Sequence, residues 1–201
     1  MAAPATALAA GFADPVHDAQ RAFSALMWAM AQPGLPVPLS SELAPPAPLS
    51  PEMAAAALAL LDYETPVFLD RALAAHPQVA AFLRFHTGAP LAAEPAGARF
   101  ALIGDPAGLA DFSAFAQGEP DYPDRSATLL VQVETLGAGA LALEGPGIKG
   151  RRAFAAAPLP ADFDRRLAAN RMLYPLGVDL FLIAPGAVAG LPRSVMPFPE
   201  D

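Results

Sequence analysis

The segment Thr128–Leu136 (TLLVQVETL) alternates apolar and polar positions and is the clearest strand in the chain. Gly137-Ala138-Gly139 follows at once, and Ala140–Glu144 resumes the run, which predicts a hairpin. A chain with such a hairpin needs a sheet holding an antiparallel pair. Shorter runs supply further strands: Thr65–Leu69 (TPVFL), Arg99–Ile103, the fully buried Val178–Ala184 (VDLFLIA) and an edge strand at Leu191–Val195. Helical segments alternate with them. Asp14-Pro15 offers an acidic N-cap followed by proline at the first helical position. Ala19, Phe23, Met27 and Met30 then recur at helical spacing beside Ala22 and Leu26, up to the stop at Pro33-Gly34. Met27, Trp28 and Met30 suit a core or an interface. Met53–Asp62, Pro77–Phe85, Ala107–Ala116 and Asp162–Leu173 read as further helices. The pattern predicts an α/β fold over residues 1–201, a single domain with a central mixed sheet flanked by helices. Residues 35–51 form a proline-rich loop or extended edge, because proline lacks a ladder donor.

Composition narrows the function classes. The chain has 201 residues, a hydrophobic fraction of 54% and no cysteine. Thiolate metal sites, iron–sulfur clusters and cysteine nucleophiles are excluded for it. A net charge of −8 offers no footprint for nucleic acid. No apolar run approaches the ~20 residues that span a bilayer, so no membrane role is expected. Residues 1–11 lack a basic start and contain Pro4; they read as a flexible tail rather than a secretion signal.

Several motifs invite chemical readings. Gly145–Gly150 spells G-x-G-x-x-G, but Pro158 and Pro160 leave little room for the helix that a dinucleotide site needs, so a tight turn is expected. Lys149, the sole lysine, sits in that turn, a poor setting for an imine. Lys149, Arg151, Arg152, Arg165, Arg166 and Arg171 hold half of the basic residues, and Asp162 and Asp164 beside them suggest a salted surface. His17, His76 and His86 form no helical metal pair, and no metal is expected. His86, flanked by Arg84 and Thr87, is the best candidate for acid–base work, with helix capping as the alternative. Asp62, Glu64 and Thr65 cluster where a helix meets a strand, suited to acid–base chemistry or to turning the chain.

Taken in order, several segments resemble one family. They are Pro15–Gly34 (PVHDAQRAFSALMWAMAQPG), Asp62 with Thr65–Leu69, Leu83–Leu91 (LRFHTGAPL), Ala127–Val133 (ATLLVQV), Gly145–Ile148, Tyr174–Leu182 (YPLGVDLFL) and Leu191–Ser194 (LPRS). Together they resemble the H subunit of the bacterial carbon–phosphorus lyase core complex.

The resemblance implies a fold like that of the pyridoxal-phosphate-dependent transferases, without a bound cofactor. It implies a cytoplasmic protein that forms a homodimer in isolation and assembles with the G, I and J subunits. It implies an accessory role in forming α-D-ribose 1-methylphosphonate 5-triphosphate from ATP and a phosphonate, with release of adenine. Carried over position by position, Arg84, His86, Thr87 and Arg193, with Asp62 and Thr65, become candidates for ligand or partner binding. Asp179 suits a structural role. Two alternatives stand beside this reading: a free-standing transferase or hydrolase acting on nucleotides or phosphates, and a purely structural scaffold.

Overall fold

The structure is a computed structural model and describes residues 8–199. Strands β2 (Val67–Leu69), β3 (Phe100–Ile103), β6 (Thr128–Gln132) and β9 (Asp179–Ala184) run parallel. β10 (Ala187–Leu191) turns back antiparallel on β9, and β1 (Val37–Pro38) pairs antiparallel with β10. The spatial order is β1-β10-β9-β6-β3-β2. The central sheet is therefore mixed. Its strands are buried on both faces, which explains their near-continuous apolar runs.

Proline and acid–hydroxyl caps set where the helices begin. Asp14 accepts the His17 amide at 3.1 Å and opens α1 (Pro15–Ala31). Ser50 accepts the Met53 amide at 3.2 Å and opens α2 (Pro51–Leu60). Asp70 caps the short α3 (Arg71–Ala74). α4 (Pro77–Thr87) ends on left-handed Gly88, and α5 is Phe163–Met172. Proline stands at the first turn of α1, α2 and α4, where its missing N–H has no intrahelical partner to lose.

Each face of the sheet has its own core. Leu102, Leu130, Phe181 and Ile183 pack under α1, α2 and α4. Leu129, Val131, Leu180 and Leu182 face the other way, against Phe163 and Leu167 of α5 and against a second sheet. That sheet is antiparallel, with order β11-β7-β8: β7 is Thr135–Glu144, β8 Arg152–Ala157 and β11 Met196–Pro199. β4 (Gln117–Glu119) and β5 (Tyr122–Ser126) form a separate two-stranded hairpin.

The local predictions need several corrections. The chain breaks between β6 and β7 at Val133-Glu134, and the two strands enter different sheets. Gly137-Ala138-Gly139 is no turn. It lies inside β7, where the register with β8 shifts, and a Cβ at Gly139 would overlap Ala155. Glycine here permits a bulge and a close approach, which sequence alone confuses with a turn. Ala107–Ala116 forms two short 3-10 turns, Pro106–Gly108 and Phe112–Ala114, in place of a helix. The last edge strand is displaced from Leu191–Val195 to Met196–Pro199. Within the proline-rich segment, Pro38 lies in edge strand β1, while Gln132 accepts the Ser50 amide and donates to Pro48 O. Most of the expected N-terminal tail, residues 1–7, lies outside the described residues.

α1 approaches the sheet unusually closely. Its buried side chains are Ala22, Ala25, Leu26 and Ala29, while Phe23, Met27 and Trp28 are about half exposed. A Cβ at Gly190 of β10 would lie 2.6 Å from Ala29 O and 2.8 Å from Met30 N, both backbone atoms. Backbone cannot retreat cheaply, so the contact admits only glycine. Gly190→Val should destabilise the protein by about 3 kcal/mol or more. Urea unfolding followed by circular dichroism checks this; a midpoint equal to the parent's would contradict it.

Candidate functional site

The predicted site residues fall on one edge of the sheet, at the N-terminal ends of the parallel strands, in two separate places. The first is the corner where the α2–β2 turn meets the end of α4. Thr65 Oγ1 accepts the Asp62 amide at 2.7 Å and donates to Asp62 O at 2.9 Å, while Asp62 Oδ1 accepts the Glu64 amide at 2.9 Å. These groups close the turn. Thr87 Oγ1 donates to Leu83 O at 2.7 Å and accepts the Ala89 amide at 3.1 Å, finishing α4. Gly88 packs against Tyr63, so turn and helix end are neighbours. Residues 90–92 then run beside β2, with Val67 N donating to Pro90 O and Ala92 N to Val67 O.

His86 faces inward from this corner. Its Nε2 donates to Ala9 O at 2.9 Å, and its ring packs edge-on against Phe82 and Phe85. Gly11 lies against Nδ1, where a Cβ would come within 2.8 Å. Both ring nitrogens therefore meet residues 9–11, which suits anchoring that segment better than proton transfer to a substrate. Arg84 is exposed and makes no ion pair among the described residues. The same corner exposes Tyr63 (74%), which lies against Gly88, and Phe85 (66%), the next residue on α4. Neither aromatic is legible as a surface group from sequence, because Phe85 shares α4 with the buried Phe82 and Leu83.

The second place holds Arg193. Its Nε lies 3.1 and 3.2 Å from the two Asp179 carboxylate oxygens, and its backbone N–H donates to Asp179 Oδ1 at 2.8 Å. Nη1 donates to Pro123 O at 2.8 Å, and Nη2 donates to Ser126 Oγ. The guanidinium is spent on joining β9, the β4–β5 hairpin and the chain after β10. Strands β3 and β6 separate this knot from the α4 corner. At about 4.8 Å per strand, β2 and β9 lie roughly 14 Å apart. The structure thus unites Asp62, Thr65 and Thr87 with the helix bearing Arg84 and His86, and sets Arg193 apart.

The remaining motifs have structural uses. Gly145–Gly150 connects β7 to β8, no helix follows, and Gly147 lies against Ala31 O at the end of α1. Lys149 is exposed in that connection. Arg152 donates to Gln32 O and Pro33 O, and Arg151 pairs with Glu144. Arg165 hydrogen-bonds Asp162, and that bond, with the charge of Arg166, holds the Asp162 carboxyl below the usual carboxylate range. No cluster of potential metal ligands and no helix able to cross a membrane occurs among the described residues.

Two concavities stand out among the described residues. The larger, about 890 Å³, lies between α1 and residues 38–43; Asp14, Asp18 and Glu42 make it acidic, and Arg21 is paired with Asp18. The smaller, about 370 Å³, lies between residues 96–99 and the β4–β5 hairpin.

Residues 10–197 match the family described as bacterial phosphonate metabolism protein (PhnH). The chain belongs to the PhnH family. It is also 43% identical, over 96% of its length and 97% of the relative's, to the alpha-D-ribose 1-methylphosphonate 5-triphosphate synthase subunit PhnH of Rhizobium meliloti (strain 1021). The match covers both the α4 corner and the Arg193 knot, so both belong to the part of the chain shared with the PhnH family.

Arg193 and Asp179 side chains are only 14% and 22% exposed. Removing one partner strands the other charge, so Arg193→Ala should cost about 3 kcal/mol. Arg193→Lys should recover only part of this, because an ammonium cannot reproduce the planar fork. Chemical denaturation of the variants checks both expectations; a parent-like Arg193→Ala would show that the knot carries no stability.

Proposed function

We propose that this chain is an accessory subunit of the system that forms α-D-ribose 1-methylphosphonate 5-triphosphate from ATP and a phosphonate, releasing adenine. End-to-end likeness to a PhnH subunit of that synthase is the observation that carries the reading. In this reading the partners are the G, I and J subunits, ATP and phosphonate are substrates of the assembly, and the chain acts in the cytoplasm without a cofactor of its own. Its fold is taken as a relative of the pyridoxal-phosphate-dependent transferases. The exposed Lys149 in a glycine-rich connection is not set to hold that cofactor as an imine.

The geometry favours an accessory role over a free-standing transferase. His86 is turned toward Ala9 and Gly11, Asp62 and Thr65 close a turn, and Arg193 is held by Asp179. What remains available is surface. Phe23, Met27 and Trp28 are exposed on the outer side of α1, and Arg84, Phe85 and Tyr63 are exposed at the α4 corner. Aromatic groups beside arginine are the residue types that dominate binding energy at protein interfaces. We assign the outer side of α1 to self-association as a homodimer and the α4 corner to the other subunits.

Co-expression with the G and I subunits and purification through a tag on one of them tests this. The parent chain should co-elute at mild salt, and Phe85→Asp with Tyr63→Asp should abolish co-elution while leaving the fold intact by circular dichroism. Parent protein that fails to co-elute, or purified chain that alone consumes ATP and phosphonate, would overturn the reading.

A further inference from the structure

Between the α4 corner and the Arg193 knot, the same sheet edge carries two arginines outside the motifs considered above. Arg99 immediately precedes β3. Its backbone is fixed on both sides: its N–H donates to Pro66 O at 2.8 Å and its carbonyl accepts the Thr128 amide at 2.9 Å. The side chain is half-buried, reaches across to Asp124 O at 3.3 Å through Nη1, and makes no ion pair among the described residues. Arg125 stands on β5. It lies over the Tyr122 ring at 4.0 Å and is 3.5 Å from Glu119. Both arginines line the cleft of about 370 Å³, together with Gly97, Gly118 and Glu119, the ion-pair partner of Arg125.

The walls of this cleft are fixed before any ligand arrives. Gln117 Nε2 donates to Phe112 O at 2.6 Å and to Phe115 O at 2.8 Å, and Gln117 O accepts the Gly177 amide at 2.9 Å. Gly118 adopts φ +81°, and a Cβ there would collide with the Pro123 backbone, so the hairpin folds tightly on itself. Arg193 holds the same hairpin through Pro123 O and Ser126. Ordering the cleft therefore costs little at the moment of binding.

We propose that this cleft is a binding site for a phosphorus oxyanion, with Arg99 and Arg125 as its two cationic walls. A guanidinium presents parallel N–H donors that match the oxygens of phosphate and phosphonate. Arg99 has donors free for this, because Asp124 O occupies only one direction. Arg125 stacks over Tyr122 and has one long, exposed ion pair of the kind worth about 0–1 kcal/mol, which an incoming anion readily replaces. The volume falls at the small end of the range for ligand sites and suits a short polyphosphate or a phosphorylated sugar. A chain of net charge −8 has no general attraction for anions, so binding here is local to the two arginines. The site stands independently of the assembly, since it lies wholly within one chain.

The experiment is calorimetric titration of the full chain, alone, with inorganic pyrophosphate, ATP and methylphosphonate. Pyrophosphate should bind saturably at a single site, more weakly at higher salt. Arg99→Ala and Arg125→Ala should each weaken it by about tenfold or more, the loss expected when a charged hydrogen-bonding group is removed. Arg125 is exposed, so its variant folds whether or not Arg99→Ala does; Arg84→Ala serves as a control that retains binding. Binding of ATP without methylphosphonate assigns the cleft to a phosphate tail, and the reverse assigns it to the phosphonate. No saturable binding by any of the three probes at millimolar concentration, or affinity that both variants leave within about twofold, overturns the proposal. Loss of co-elution with other subunits would not bear on it.

Discussion

The contact between α1 and β10 governs how this fold presents itself. Gly190 has backbone where other strands have side chain, and Ala22, Ala25 and Ala29 bring the helix down onto it. A helix seated that close has no room for large groups on its inner face. Phe23, Met27 and Trp28 are thereby turned outward, although their bulk and spacing are those of core residues. Burying such side chains contributes about 1.5–3 kcal/mol each, and the isolated chain leaves much of that unrealised. The same close packing that completes one layer thus leaves large apolar side chains exposed on the outer side of α1.

The placement of the candidate site follows from which edge of the sheet is closed. Open parallel sheets usually bind ligands beyond the carboxyl ends of their strands. Here that end is occupied by the protein's own groups. Asp70 Oδ2 accepts the Gly104 and Asp105 amides at 2.9 and 2.8 Å, Gln132 bridges Pro48 and Ser50, and Glu52 accepts the Gly186 amide at 3.0 Å. The opposite edge differs. There the peptide groups of Pro66, Arg99, Thr128, Ala127 and Asp179 link successive strand starts, and Arg84, Arg99, Arg125 and Arg193 stand along them. Arg193 alone is fully committed to carboxylate and carbonyl partners, and its commitment fixes the hairpin that forms one wall of the cleft.

Parts of this were legible from residues alone. Val178–Ala184 reads as a buried strand, and Arg99–Ile103 as a strand, because apart from Asp179 and Arg99 their positions are all apolar, as covering on both faces requires. Asp14-Pro15 marks a helix start by the chemistry of cap and proline, and Pro77 opens the predicted Pro77–Phe85 helix, whereas Ser50-Pro51, which opens α2, falls in the segment read as a proline-rich loop. What escaped has physical reasons. The alternating run Thr128–Leu136 spans two strands in two sheets, and periodicity carries no sign of which sheet a strand joins. Gly137 and Gly139 make a bulge from the residue type that also makes turns. The β4–β5 hairpin is polar and exposed, so no apolar period announces it, and Arg125 went unremarked with it. The LPRS motif draws attention to Arg193, yet nothing local reveals that Asp179 consumes it. Asp62, Thr65 and Thr87 belong to residue types that close turns and cap helices as readily as they bind ligands, and here their hydroxyls and carboxylates bond the adjacent backbone.

The identity of the available groups also bears on chemistry. Arginine stays protonated throughout the neutral range, so an edge built on Arg84, Arg99 and Arg125 can hold negative charge but cannot shuttle protons. Among the histidines, His86 faces Ala9 and Gly11, His17 pairs with Asp14 at 2.7 Å, and His76 holds the N-cap position of α4 without a side-chain cap bond. Displacing adenine from a nucleotide with a phosphonate demands both charge stabilisation and protonation of the departing base. The arginines along this edge can supply the first, and their chemistry does not supply the second.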